Sequence, residues 1–307
     1  MTNKPNLTTG FIGLGAMGMG MARSLLRAGV QVKGFDINPQ AVQAFEEAGG
    51  KGVASAAEAA AEAGVLTIVV VNAEQAEAVL FGAGGAAHAL SPGSVVMLCS
   101  TVRPAYARET GHRLYEMGLE MLDAPISGGA AKAAQGQLSV MASGHPAAFE
   151  KAEPVLEAIA EHVYRLGDEC GVGSTVKMVN QLLAGVHIAV AAEAMAFGVK
   201  AGADPQALYE VISNSAGASW MFQNRVPHML AGDFTPLSAV EIFVKDLGIV
   251  LETGKSERFP LPLAAAAHQM FLMAAAAGFG REDDSAVVKV FEQLAGVRVA
   301  GSRGVGE

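Results

Sequence analysis

The sequence predicts an α/β domain built on a mainly parallel sheet, followed by an all-α C-terminal domain. Three observations carry this. Through Leu166, short apolar runs alternate with helical patterns, the order that right-handed β–α–β crossovers produce. From Gly173 onward the chain shows no β alternation. The total of 307 residues exceeds the ~250–300 residues at which a single core stops growing.

The expected strands are Gly10–Gly13, Gln31–Asp36, Leu66–Val71, Ser94–Cys99, Glu120–Asp123, Leu138–Ala142 and Val163–Leu166. The uninterrupted run Ile68-Val69-Val70-Val71 suits a strand covered on both faces. The second half is Ala-, Leu- and Met-rich, with breaks at Gly202–Pro205, Gly232–Pro236 and Pro260–Pro262, and reads as helices joined by short loops. The segment Gly167–Gly173 is the expected linker. The division is therefore residues 1–166, 167–296, and a Gly-rich tail, 297–307, expected to be disordered.

Composition removes several function classes. Hydrophobic residues make up 51% and charged residues 17%, the opposite of a disordered chain. A net charge of −9 argues against nucleic acid or an anionic membrane surface as partner. Mean hydropathy is +0.33, but Leu182–Val199 is interrupted by His187 and Glu193, and Leu261–Phe279 by Pro262, His268 and Gln269. Both read as buried helices rather than membrane spans. Two cysteines, Cys99 and Cys170, and a polar N-terminus without a signal-like run indicate a reduced, cytoplasmic setting. The seven histidines are scattered without paired ligand spacing, so no metal is expected.

The first motif is Gly13-x-Gly15-x-x-Gly18, after an expected strand and opening a helix. That context is the dinucleotide-binding (Rossmann) fingerprint. Gly13 permits the tight turn, Gly15 lets backbone approach a pyrophosphate, and Gly18 allows close helix–strand packing. Ala16 and Met17 lie at the helix start, where free N–H groups and the dipole favour anions. Asp36 ends the second strand, 21 residues after Gly15. Its carboxylate suits the two ribose hydroxyls of NAD and repels the 2′-phosphate of NADP. NAD is therefore the expected cofactor, with Asn72 also in the expected cofactor-binding set.

Three further motifs follow: Ser100-Thr101 with Pro104; Asp123-Ala-Pro-Ile-Ser127-Gly128-Gly129, continuing to Gly136 and Gly144; and Gly171-x-Gly173-x-x-x-Lys177-x-x-Asn180. With the glycine fingerprint, they make the chain resemble the 3-hydroxyisobutyrate (β-hydroxyacid) dehydrogenase family over residues 10–296. The resemblance implies a Rossmann domain and a helical domain. It makes Lys177 the catalytic lysine and places Ser127, Gly128 and Gly129 on the substrate carboxylate and its neighbouring hydroxyl. It places Thr101 by the nicotinamide, closes Lys245 over cofactor and substrate, and implies a homodimer or homotetramer joined through the C-terminal domain.

The chemistry agrees residue by residue. When a hydride leaves an alcohol carbon, the hydroxyl proton needs a base. Lysine serves once burial or a nearby cation lowers its pKa from ~10.4. Lys177, Asn180, Gln181 and Ala184 fall on one helix face, so Asn180 or Gln181 can orient the lysine or the substrate. Many relatives carry a second asparagine where Gln181 stands, and the residue types leave open which amide does this.

Within the family, Lys177–His187, Ala218–Arg225 and Ile242–Asp246 look most like the members that oxidise the C2 hydroxyl of L-threonate, a four-carbon sugar acid, to 2-oxo-tetronate. Trp220, Gln223, Asn224 and His187 offer an aromatic wall and polar contacts for such a substrate. The alternatives are 3-hydroxyisobutyrate dehydrogenase, tartronate semialdehyde reductase, or a non-catalytic NAD sensor, against which Lys177 argues.

Overall fold

The computed structural model describes residues 8–301. The first residues, where the polar N-terminus was noted, and positions 302–307 of the expected tail lie outside them. The described residues pack as two compact units, divided between Lys177 and Met178.

The first unit contains β1 Thr8–Ile12, α1 Ala16–Arg27, β2 Gln31–Phe35, α2 Pro39–Glu47, β3 Lys51–Gly52, α3 Ala56–Ala60, β4 Val65–Ile68, α4 Ala73–Phe81, β5 Val95–Leu98, α5 Pro104–Glu116, β6 Glu120–Asp123, β7 Ile126–Ser127, α6 Gly129–Gln135, β8 Leu138–Ala142, α7 Pro146–Ile159 and β9 Ala160–Arg165. The six-stranded sheet has the order β3-β2-β1-β4-β5-β6, and all its pairings are parallel. That is the doubly wound dinucleotide-binding order, with its switch point between β1 and β4. A second sheet, β7-β8-β9, pairs β7 antiparallel and β9 parallel to β8.

Both faces of the large sheet are covered, as the apolar runs required. Phe11, Val65, Val95, Met97 and Leu122 feed one core, while Ile12, Leu66, Ile68, Val96, Leu98 and Met121 feed the other. This is the period of two expected of a strand with two buried faces.

The apolar run does not all belong to β4. Val69 N still donates to the Ile12 carbonyl of β1 at 2.8 Å, but the two amides after it leave the ladder. Val70 N donates to Ser100 Oγ at 3.0 Å and Val71 N to Gln75 Oε1 at 2.9 Å, and Val71 is 52% exposed. The short strands β3 and β7 carry two residues each, too few to leave a periodic signature.

A long helix, α8 Val172–Lys200, runs from the first unit into the second. The expected linker Gly167–Gly173 thus includes its first residues. The second unit adds α9 Pro205–Ser213, α10 Trp220–Ala231, α11 Val240–Ser256, α12 Pro262–Ala274 and α13 Val288–Ala295. Its core includes Ile188, Ala192, Met195, Phe222, Phe243, Leu247, Phe271 and Val299. Val299 lies within the expected tail and is fully buried.

Within the single chain the two apolar helical stretches are less buried than expected. Val172–Lys200 and Pro262–Phe279 are long and apolar enough to cross a membrane by length and composition alone, yet only 39% and 22% of their apolar windows are buried within the chain. Each helix puts one face into the core. Leu183, Val190 and Phe197 on the first, and Leu263 and Met273 on the second, remain exposed.

Candidate active site

In the first unit, the sequence motifs fall just beyond the carboxyl ends of the parallel strands. Gly13 follows β1, Asp36 follows β2, Val69–Asn72 follow β4, Cys99–Thr101 follow β5, and Ala124 opens the turn after β6. Doubly wound sheets bind ligands at this edge, because crossovers leave a crevice there.

The β1–α1 turn is built for an anion. Gly13 has φ +94°, and a Cβ on it would stand 2.2 Å from the Val69 carbonyl oxygen. A Cβ on Gly18 would stand 1.9 Å from the Gly13 carbonyl oxygen, whereas one on Gly15 would meet nothing within 4 Å. Gly13 and Gly18 are thus fixed by the backbone around them, and Gly15 borders open space. Gly15 caps α1 without a side-chain hydrogen bond, and Gly15 and Ala16 are exposed. The first amides of α1 are therefore left for a ligand phosphate. Asp36 ties the edge together: Oδ2 accepts from Leu14 N at 2.6 Å and Oδ1 from Asn38 N at 2.8 Å. Each carboxylate oxygen keeps a second lone pair for a ribose hydroxyl. This cradle fits a dinucleotide.

Asn72 is the N-cap of α4, its Oδ1 accepting from Gln75 N at 2.9 Å. Ser127 ends β7, and Gly128 and Gly129 follow with φ +138° and +76°, values strained for any residue with a Cβ. Such turned backbone aims amide groups at an anion such as a carboxylate.

Three residues with structural roles in this unit escaped the sequence reading. Asp123 is buried at the end of β6. Its Oδ2 accepts from Gly171 N and Ser174 N, both at 2.8 Å, and its Oδ1 accepts the Ser174 hydroxyl at 2.6 Å. Ser143 Oγ accepts from Gly173 N at 3.0 Å. These bonds cap the helix that carries Lys177 and pin its start to two strand ends. A Cβ on Gly173 would stand 2.4 Å from the Met141 carbonyl oxygen, so only glycine permits the approach. Burial pushes the Asp123 carboxyl above the usual carboxylate range, and the bonds from Ser174 and Gly171 oppose that shift. The third residue, Gly20, lets α1 press on α6: a Cβ there would lie 2.8 Å from Ala134 N. Asp123 was visible in the sequence as the first residue of its motif, but nothing there showed what it holds.

Lys177 is buried, at 7% exposure. Its sequence neighbours Val176 and Val179 are exposed, so the apolar residues beside it in sequence are not what buries it. Burial drives both thiols to about 12, Cys99 and Cys170 alike, which removes them as nucleophiles near neutral pH. Among the described residues, no group of three or more His, Cys, Asp or Glu is placed to hold a metal.

The second unit contributes a side-chain chain instead. Asn180 Nδ2 donates to Gln181 Oε1 at 3.0 Å, and Gln181 Nε2 donates to Asp246 Oδ2 at 2.6 Å. Lys245 Nζ donates to Asp246 Oδ1 at 2.5 Å. Asp246, buried and missed by the sequence reading, joins Lys245 to the amide pair. Trp220 opens α10 and is 67% exposed. Phe222 is instead buried and stacks on Tyr209, ring centroids 6.0 Å apart. Gln223 Nε2 is engaged with the Ser213 carbonyl at 3.0 Å. Asn224 accepts from Arg225, and Arg225 grips buried Asp284 through two bonds of 2.6 and 3.0 Å. The Gln223 and Asn224 side chains are thus each engaged within the helical unit.

A doubly wound sheet, an uncapped helix start behind a glycine turn and a carboxylate just past β2 are the features of an NAD-binding dehydrogenase. Residues 8–167 match the NAD-binding domain of 6-phosphogluconate dehydrogenase. Residues 171–291 match the domain described as NAD-binding of NADP-dependent 3-hydroxyisobutyrate dehydrogenase. L-threonate dehydrogenase of Cupriavidus necator is 61% identical over 92% of this chain and 95% of its own. The Escherichia coli K12 enzyme of that name is 54% identical over 93% and 95%. A crystal structure described as 3-hydroxyisobutyrate dehydrogenase from Salmonella typhimurium superposes with a TM-score of 0.86 at 54% identity, covering 92% of this chain and 99% of that one. The chain belongs to the 3-hydroxyisobutyrate dehydrogenase family and is an NAD-dependent oxidoreductase.

Proposed function

We propose that this protein oxidises the C2 hydroxyl of L-threonate to 2-oxo-tetronate, with Lys177 as general base. The observation that carries the proposal is the buried Lys177, on a helix pinned by Asp123 and Ser143, in a chain whose relatives at 61% and 54% identity are L-threonate dehydrogenases. When bound, NAD supplies the hydride acceptor. The Lys177 amine takes the hydroxyl proton as the C2 carbonyl forms, and in reverse its ammonium stabilises charge on that oxygen. Ser127, Gly128 and Gly129 hold the substrate carboxylate, and Asn180 and Gln181 serve its orientation. Gly13, Gly15, Ala16, Met17 and Gly18 receive the pyrophosphate and Asp36 the ribose, with Asn72, Thr101 and Lys245 completing the cofactor site. Trp220 walls the substrate's far end.

The test is NADH formation across L-threonate, D-threonate, the erythronates and 3-hydroxyisobutyrate. L-threonate should give the highest kcat/KM, and a clear preference for 3-hydroxyisobutyrate would overturn the assignment. That outcome is the second reading, favoured by the name of the Salmonella structure. NADP should be the poorer cofactor, because the Asp36 carboxylate repels a 2′-phosphate.

We infer a cytoplasmic homodimer or homotetramer joined through the helical unit. The exposed residues Val176, Val179, Leu183, Val190 and Phe197 on α8 support an assembly that covers them. Light scattering at micromolar concentration should show at least a dimer, and a monomer would refute it.

A further inference from the structure

Gln181 and Asn180 are adjacent amides on α8, but the structure treats them differently. Gln181 is buried, at 8% exposure, and both ends of its amide are engaged. Nε2 is bonded to Asp246 at 2.6 Å and Oε1 to Asn180 at 3.0 Å.

The direction of these bonds follows from charge. Asp246 is paired with the Lys245 ammonium, and a carboxylate in such a pair only accepts hydrogen bonds. Gln181 must therefore turn its NH2 towards Asp246, which turns its carbonyl towards Asn180. Asn180 must answer with its own NH2, which leaves the Asn180 carbonyl oxygen at the outer end of the chain. One carboxylate, 65 residues away in sequence, thus fixes the orientation of two amides that would otherwise be free to flip.

The approach of α11 to α8 makes this reach possible. A Cβ on Gly185, one turn beyond Gln181, would stand 3.0 Å from Leu247 and Phe243, the residues that flank Asp246 on α11. His268, on α12, is engaged with the Val244 carbonyl at 3.0 Å. Asp246 and Lys245 are the ionisable members of this bonded chain, and Lys177 lies one turn back on α8.

We infer that Gln181, anchored by Asp246, is a positioning residue that presents the Asn180 carbonyl oxygen to a hydroxyl hydrogen of the substrate. This rests on the proposed role of Asn180 beside Lys177. Gln181 itself does not touch the substrate.

Gln181→Glu tests it. A protonated Glu reproduces the pattern: its O–H donates to Asp246 and its carbonyl accepts from Asn180. Ionised, it sets two carboxylates in direct contact and donates nothing, so the pair holds a proton to a higher pH than either acid alone. Relative to the unmodified enzyme at each pH, kcat/KM of Gln181→Glu should be within threefold at pH 5.5 and at least tenfold lower at pH 8.5. The deficit in Tm should widen over the same range, and NAD affinity by fluorescence quenching should stay within twofold. Gln181→Asn, too short to span from Asn180 to Asp246, should raise KM for the acid at least tenfold without changing NAD affinity.

A Gln181→Glu enzyme that follows the wild-type pH profile in both activity and Tm would overturn the inference. So would a Gln181→Asn enzyme with wild-type KM. The Tm profile needs no turnover. If the unmodified protein oxidises no hydroxy acid while that profile still opens, the reading of the site has failed and the Gln181–Asp246 link has not.

Discussion

The two units arrange their polar groups with different materials. In residues 8–177, the groups turned towards anions are mostly backbone: amides at the start of α1, turned peptides at Gly128 and Gly129, and glycines that a Cβ would displace. In the helical unit the corresponding work falls to side chains, Asn180 to Gln181 to Asp246 to Lys245, and Arg225 to Asp284. Backbone sites impose their requirement on one residue at a time. Side-chain chains impose it on pairs far apart in sequence. The first kind is rigid and intolerant of a single added carbon. The second tolerates small shifts but fails when one partner is removed.

The largest effect expected comes from the residue at the junction of the two kinds. Lys177→Ala should lower kcat/KM by about 10²–10⁴, while NAD affinity, held by the backbone cradle, should stay within threefold by fluorescence titration. An equal loss of both would break the separation between the units.

Next is the buried ion pair. Arg225→Met leaves Asp284 without its partner, which should cost about 3–5 kcal/mol in denaturant unfolding. Burial already pushes the Asp284 carboxyl up to about 6, above the unfolded ~3.9. The folded chain therefore holds that proton more tightly. The contribution of this group favours folding at low pH and is withdrawn as pH rises through about 6. The deficit of Arg225→Met should accordingly be smaller at pH 5 than at pH 8.

A matched pair of glycine substitutions sharpens the contrast. Gly18→Ala meets a backbone oxygen at 1.9 Å and Gly185→Ala meets side-chain carbons at 3.0 Å. The second should cost about 1–2 kcal/mol, as in overpacked cores, and the first clearly more, with loss of NAD affinity. Equal costs would remove the distinction between backbone-built and side-chain-built sites. The thiols give a check that needs no substitution. With Cys99 and Cys170 both pushed to about 12, alkylation of the native protein by iodoacetamide at pH 8 should be roughly a thousandfold slower than that of the unfolded chain.

Legibility in the sequence follows the same division. The glycine fingerprint, the β–α alternation and the Ser127-Gly128-Gly129 turn announce themselves because each requirement is local. Gly13 is called for by its own φ of +94°, before the Val69 carbonyl beside it is counted. The end of β4 at Ile68 was misread because Val69–Val71 are apolar, and what diverts Val70 is a hydroxyl 30 residues away, on Ser100. Asp123 stood in plain view within its motif, but its capping of α8 depends on β6 ending beside Gly171 and Ser174. Asp246 closes the Ile242–Asp246 run that carries the resemblance, but nothing in that run shows what it holds. An acid next to a lysine on a helix is an ordinary surface pattern, and only the close approach of α11 to α8 makes it the anchor of two amides.

The sequence by itself therefore determined the doubly wound sheet, the helical second half and the place of the cofactor, since these rest on period, turn chemistry and glycine. The tertiary structure alone decided where α8 is pinned, why Lys177 is buried while Val176 and Val179 are not, and which way the Asn180 and Gln181 amides point. Hydrogen-bond direction is set by the charge of a partner, and partners are brought together by packing rather than by order in the chain.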